Sequence, residues 1–233
     1  MAAVERFVVR RCDAFYRCWH DVTDPASMRT TQAAYERLTH HGTCSTTPDD
    51  AEYYDIFDAD PLPGWDDSPA PLIRRLHARD ASAIEVHLLG LNGNDRHLRF
   101  FSSSTDAQIC AYVQAIDWSR SLLPGAIRAD RVVGMAEALF DCSYAPRDAE
   151  IAVSVDAELR RRGLGHHLVS QAVARAAALG AQHSSFAFLR ENRAIQRIVR
   201  ALGGLLDMED LVGVVRAAEF GSAAGRADAL GAA

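Results

Sequence analysis

"AEIAVSVDAELRRRGLGHHLV", residues 149–169, decides how the chain is read. Its first half alternates: Ala149, Ile151, Val153 and Val155 fall on one face, and Glu150, Ala152, Ser154 and Asp156 on the other, the two-residue period of a strand. One face packs and the other is small and polar. Arg160, Arg161 and Arg162 then lead into Gly163, Leu164 and Gly165, after which a helical pattern runs to Leu179. The two glycines permit positive φ and close backbone approach, and the helix behind them opens with amides that lack intrahelical partners. Such a helix start binds phosphate. A dinucleotide fingerprint fits less well, because its third glycine would fall on Leu168 and no acid sits at the appropriate later strand end.

Working outward, strands are expected at "LIRRLH" from Leu72, at Arg120–Ile127, at Arg131–Leu139 and at Ala149–Val155, the last three as an antiparallel meander. Asp80 is expected to cap a helix running to about Leu91, and Thr105 one ending near Ile116. After the glycine turn come helix Gly165–Leu179, the extended "SSFAFL", helix Arg193–Leu202 and a last strand in "LVGVVRAAE". Ahead of this unit, Asp24, Pro25 and Gly42 bound a helix over 24–42. Residues 48–71 hold five prolines, and residues 49–67 carry eight acids and no base, with Tyr53, Tyr54, Phe57 and Trp65 interspersed. That composition reads as a linker draped over a neighbour, its aromatics gaining from burial. The domain reading is therefore an N-terminal helical extension over 1–47, an acidic proline-rich linker over 48–71, an α/β domain of α+β type over 72–220, and a flexible tail over 221–233.

Composition narrows the chemistry. The chain has 233 residues, a net charge of −6 and no lysine, every base being arginine, so a Walker-type phosphate loop and Schiff-base catalysis are both excluded. Outside the acidic linker the charge nearly balances, leaving no field that would recruit nucleic acid. The five cysteines are scattered without a CxxC pair, which fits reduced thiols, and their spacing with the histidines matches no zinc pattern, so no metal is expected. No apolar run approaches a membrane span, and "MAAVERFVVRRC" lacks the features of a signal peptide. A cytoplasmic protein with no membrane partner is the expectation.

The run Arg160, Arg161, Arg162, Gly163, Leu164, Gly165 resembles the Arg/Gln-x-x-Gly-x-Gly/Ala signature of the GNAT N-acetyltransferases. "ENRAIQRIVRALGG" is similar to that family's later Asn-led helix, and the order of elements over 71–219 is similar throughout. "LNGNDRHLRFF" followed by "YVQAIDW" resembles the start of the bacterial Pat-type protein-lysine acetyltransferases. The resemblance implies a mixed, mostly antiparallel twisted sheet flanked by helices, with acetyl-CoA as cosubstrate. It implies that Val153 and Val155 pair through their backbones with the pantetheine arm, and that amides of Arg161, Arg162, Gly163, Leu164, Gly165 and His166 hold the pyrophosphate. Arg160 and Arg197 would add charge, and Asn192 would contact the cofactor. Glu150 matches the family's base, with Glu137 in reserve. The family's tyrosine, seven residues after the asparagine, is replaced by Val199. The acceptor implied is an amine, of a protein lysine or a small molecule; loss of the tyrosine leaves a catalytically weak acyl-CoA-binding sensor as the competing reading.

Overall fold

The computed structural model describes residues 65, 70–142 and 146–217 in full, and the backbone of three strands further toward the N-terminus. Those are β1 (Phe7–Asp13), β2 (Cys18–Asp21) and β3 (Tyr53–Asp58), an antiparallel sheet in the order β2-β1-β3. β3 lies within the segment read as linker. The helix expected over 24–42 and the tail over 221–233 fall outside the described residues.

The main sheet has seven strands in the order β4-β5-β6-β7-β8-β10-β9. They are β4 (Leu72–Leu76), β5 (Ser121–Arg128), β6 (Arg131–Phe140), β7 (Asp148–Val155), β8 (His183–Ala187), β9 (Leu205–Asp207) and β10 (Val212–Arg216). Every pairing is antiparallel except β7 with β8. The helices are α1 (Ala81–Leu89), α2 (Gly93–Phe100), α3 (Asp106–Gln114), α4 (Leu164–Ala178) and α5 (Arg193–Ala201). The expected mixed α/β architecture is thus present among the described residues. Two elements carry little local signal in the sequence: α2 has no buried residue to mark an apolar stripe, and β9 is three residues long.

Both faces of the sheet are covered. On one, Leu164, Leu168, Ala172 and Val173 of α4 pack on Leu122, Ala136, Ile151 and Phe186. On the other, Ile84 and Leu88 of α1 and Ile109 and Val113 of α3 pack on Leu76, Leu123, Val132 and Met135. Covering the second face changes β7: Ser154, on its polar side, is buried beneath α1 instead of facing water.

Local chemistry fixes the helix starts. Thr105 and Gln108 form a reciprocal capping box ahead of α3, the Gln108 amide donating to Thr105 Oγ1 and the Thr105 amide to Gln108 Oε1. Asp80 occupies the N-cap position of α1 as expected, but its side chain makes no cap hydrogen bond to that helix. Its carboxylate accepts from the His77 amide at 2.9 Å and from Arg74 at 2.8 Å, securing the short 3₁₀ turn Ala78–Asp80. Burial works to raise the pKa of Asp80, but the hydrogen bonds and charge of Arg74 outweigh it and hold the group below its ordinary value. Among the described residues no helix is long and apolar enough to cross a membrane.

Leu168 is fully buried on the sheet-facing side of α4. Leu168→Ala is expected to cost about 2–5 kcal/mol through lost contacts and a residual cavity, read as a lower urea midpoint with unchanged slope.

Candidate active site

β7 and β8 run together for three registers only: Asp148 opposite His183, Ala149 opposite Ser184 and Glu150 opposite Ser185. Beyond Glu150 they diverge, and the far half of β7 loses its neighbour on that side. Its other side stays paired with β6 as far as Val155 opposite Gly134. The Asp156 amide donates to Val133 O at 2.9 Å, and the Asp141 amide to Asp148 O at 3.1 Å. Hydrogen-bonded and non-bonded pairs alternate along an antiparallel ladder, so the peptide groups of Val153 and Val155 turn away from β6, toward the edge that β8 has left. A strand edge of this kind is a template for an extended ligand.

At the end of that edge the chain makes the arginine–glycine turn. Arg161 has φ of 60° and Gly163 of 81°; the second caps α4, its carbonyl accepting from the His167 amide at 2.9 Å. The turn aims the first amides of α4 at a cavity of about 460 Å³. Val153, Val155, Arg160, Arg161, Gly163, Gly165 and His166 line it from one side, and Asn192, Ala194, Ile195, Arg197 and Ile198 of the α5 region from the other. Burial, assisted by the neighbouring charge of His167, lowers the pKa of His166.

Three residues expected at the site stand differently. Leu164 is buried in the core, so only its backbone is available. The Arg162 guanidinium lies 5.1 Å from the centre of the Trp65 ring, a cation–π contact, and Arg162 is not among the residues lining the cavity. Arg160 is engaged internally: Nε and Nη2 each donate to Val155 O at 3.1 Å, and Nη2 meets Asp95 at 2.5 Å. The Val155 carbonyl is thereby occupied. Asn192 caps α5, its Oδ1 accepting from the Ile195 amide at 3.3 Å.

The two carboxylates are separated by their surroundings. Glu150 is exposed, outside the cavity lining, at the last paired register before the strands part. Glu137 is buried and accepts from Arg99 Nη2 at 3.1 Å, from Ser121 Oγ at 3.2 Å and from the Tyr112 hydroxyl. Burial, with the Glu137 charge reinforcing it against Arg99, pushes Tyr112 up to about 12. Val199, where the family places tyrosine, is fully buried toward Gly204 and Gly213 and offers no proton donor.

The wall formed by Leu91, Asp95, Leu98 and Arg99 lies in "LNGNDRHLRFF", a segment whose resemblance implies no site residue. Asn92, whose Oδ1 accepts from the Asp95 amide at 3.0 Å, was the signal available for a helix there. Among the described residues no group of three or more metal-ligating side chains converges.

The acetyltransferase (GNAT) family profile matches residues 51–204, and the chain belongs to that family. The GNAT domain of S. lividans PAT superimposes with a TM-score of 0.52 at 17% identity, over 62% of this chain and 88% of that one. A second acetyltransferase structure gives 0.51 at 12% identity, over 70% and 95%. The phosphinothricin acetyltransferase of Sinorhizobium meliloti, solved with AcCoA, gives 0.48 at 20%, over 63% and 86%. Curated protein sequences yield no match. At these identities the structural likenesses speak to the fold alone; it is the family match that makes this an acetyltransferase.

A Cβ at Gly163 would be held at φ of 81°, which disfavours L-residues by about 1–2 kcal/mol. Gly163→Ala should lower the Tm by roughly 2–8 °C for a chain of this size, measured by thermal unfolding.

Proposed function

We propose that this acetyltransferase moves the acetyl group of acetyl-CoA directly onto an amine, with Glu150 as general base. The observation that carries the reading is the parting of β7 from β8 immediately after Glu150, which opens a backbone edge leading from that carboxylate to the arginine–glycine turn. An extended arm carrying amides pairs with the N–H and carbonyl of Val153 and with the N–H of Val155, whose carbonyl Arg160 holds. Its diphosphate end is met by the amides of Arg161 through His166 at the start of α4, where the helix field favours anions. Arg161 and Arg197 line the same cavity and add charge-assisted hydrogen bonds, while Asn192 holds the start of α5 beside it. Arg160 acts one step back, tying the end of β7 to Asp95 of α2.

An amine must lose its proton before it attacks a thioester, and a carboxylate, directly or through water, accepts it. Glu150 is exposed and stands where the strands separate. Glu137 has its oxygens taken by Arg99, Ser121 and Tyr112 and is a structural anchor. Nitrogen attacks the carbonyl carbon, the C–S bond breaks, and coenzyme A leaves as a thiolate that takes a proton from water, a course open to a thiol because of its acidity. No cysteine need be acylated. The Pat-like segments "LNGNDRHLRFF" and "YVQAIDW" favour a protein lysine over a small amine, the first of them forming α2 on the cavity wall.

Glu150→Gln should lower kcat by about 10²–10⁴-fold while leaving coenzyme A affinity unchanged, since the turn that holds the diphosphate is untouched. A variant that turns over at the wild-type rate would remove Glu150 from the mechanism. Mass spectrometry of a lysate incubated with acetyl-CoA separates the acceptors: acetylated lysine peptides support the protein reading, and an acetylated small amine alone replaces it.

His166 gives a second test. Its lowered pKa keeps the ring neutral at pH 7, and a bound diphosphate favours the charged form. Acidification through that pKa is therefore expected to tighten coenzyme A by on the order of 1 kcal/mol, the value of one charge pair in a solvated site. Calorimetry at descending pH should show the added slope in wild type and its loss in His166→Gln.

A further inference from the structure

Ser154 is the only hydroxyl-bearing residue among the described residues lining the cavity, and its side chain is not alone. Its Oγ lies 2.9 Å from Nε2 of His87 on α1, whose Nδ1 lies 2.8 Å from Asp156 Oδ1. The His87 side chain is fully excluded from solvent, while that of Asp156 is 29% exposed. A carboxylate can only accept, so the ring proton sits on Nδ1, Nε2 accepts, and the Ser154 hydroxyl donates to it. Nucleophile, base and orienting acid thus stand in the order and at the distances of a hydrolytic serine site. Arg99 stands on the same cavity wall, its Nη2 already donating to Tyr112 and Glu137.

The geometry points to a second activity: Ser154 accepts the acyl group of short-chain carboxylic esters, thioesters included, and the cavity hydrolyses them when no cofactor fills it. Oγ attacks the carbonyl carbon as its proton passes to His87 Nε2, and the imidazolium is held by Asp156. The ester C–O bond then breaks, the leaving oxygen takes the proton from Nε2, and an O-acyl serine remains. Water attacks that ester, gives a proton to Nε2, and the acyl–oxygen bond to Ser154 breaks as Oγ recovers the proton. The sum is ester plus water giving carboxylic acid plus alcohol, with the enzyme unchanged. Apolar walls from Leu91, Leu98, Ile195 and Ile198 within about 460 Å³ suit a short acyl chain.

p-Nitrophenyl acetate is the probe, with the full chain. The absence of lysine removes the side-chain amines that usually give background acylation. Wild type should release nitrophenolate, and acid-quenched digests should carry acetyl on the peptide containing Ser154. Ser154→Ala should slow release by at least about 10²-fold, and Asp156→Asn, a partly exposed position, by on the order of 10³–10⁴-fold through loss of the productive tautomer. Wild-type rates in either folded variant, or acetyl found only elsewhere, overturn the assignment. Coenzyme A added to the assay should inhibit, because this reading rests on the cavity being the one proposed for the cofactor arm. Release that depends on Ser154 yet ignores coenzyme A would sustain the esterase and overturn the cofactor assignment instead.

Discussion

The site depends on a failure of pairing. A strand inside a sheet has both edges satisfied, and β7 has both for only three residues. From Ala152 to Val155 it keeps β6 and loses β8, so peptide groups that a sheet would consume are left facing an open edge. Leaving such groups without partners costs free energy, and the structure meets part of that cost at the far end by giving the Val155 carbonyl to Arg160. What remains is a short stretch of backbone whose need for partners an extended ligand carrying amides can satisfy.

Helices on both faces hold that edge in place. α4 packs its apolar side on the inner face, and its N-terminus arrives beside Val155 because the turn before it combines positive φ at Arg161 and Gly163. On the other face α1 reaches down with His87 to Ser154 and Asp156, and α2 sends Asp95 to Arg160. The end of β7 is thus held by polar contacts from two helices, on the side where no strand supports it. Burying these groups is favourable only because each finds a partner.

Residues close together in sequence were the legible ones. The period of Ala149–Val155, the glycines of the turn, Asn192 as a cap and the order of elements from Leu72 onward all follow from local rules, and they bring most of the expected site residues to one cavity. Contacts that span long stretches of chain were not legible. Alternation showed that Ser154 and Asp156 share a face, but nothing local says that a histidine some seventy positions earlier covers it. α2 was missed for a related reason: with no buried residue it has no apolar stripe, yet it furnishes Asp95 and Arg99. Arg160 read as a phosphate ligand because its charge was visible and Asp95, its partner, was not placed.

The two glutamates show why position on a strand is insufficient to assign a base. Glu137 and Glu150 belong to neighbouring strands, each facing the side where α1, α2 and α3 lie, and the register sets Glu137 opposite Ala152 and Glu150 opposite Leu139. Sequence alone left Glu137 as the reserve for the same role. Its surroundings weigh against that role, since a carboxylate receiving donors from Arg99, Ser121 and Tyr112 must surrender those bonds to take a proton from a substrate. Glu150 gives up nothing of the kind, and it stands at the one register where a paired sheet becomes an open edge. A base is useful where the reacting atoms can come, and in this fold that place is set by where β8 turns away.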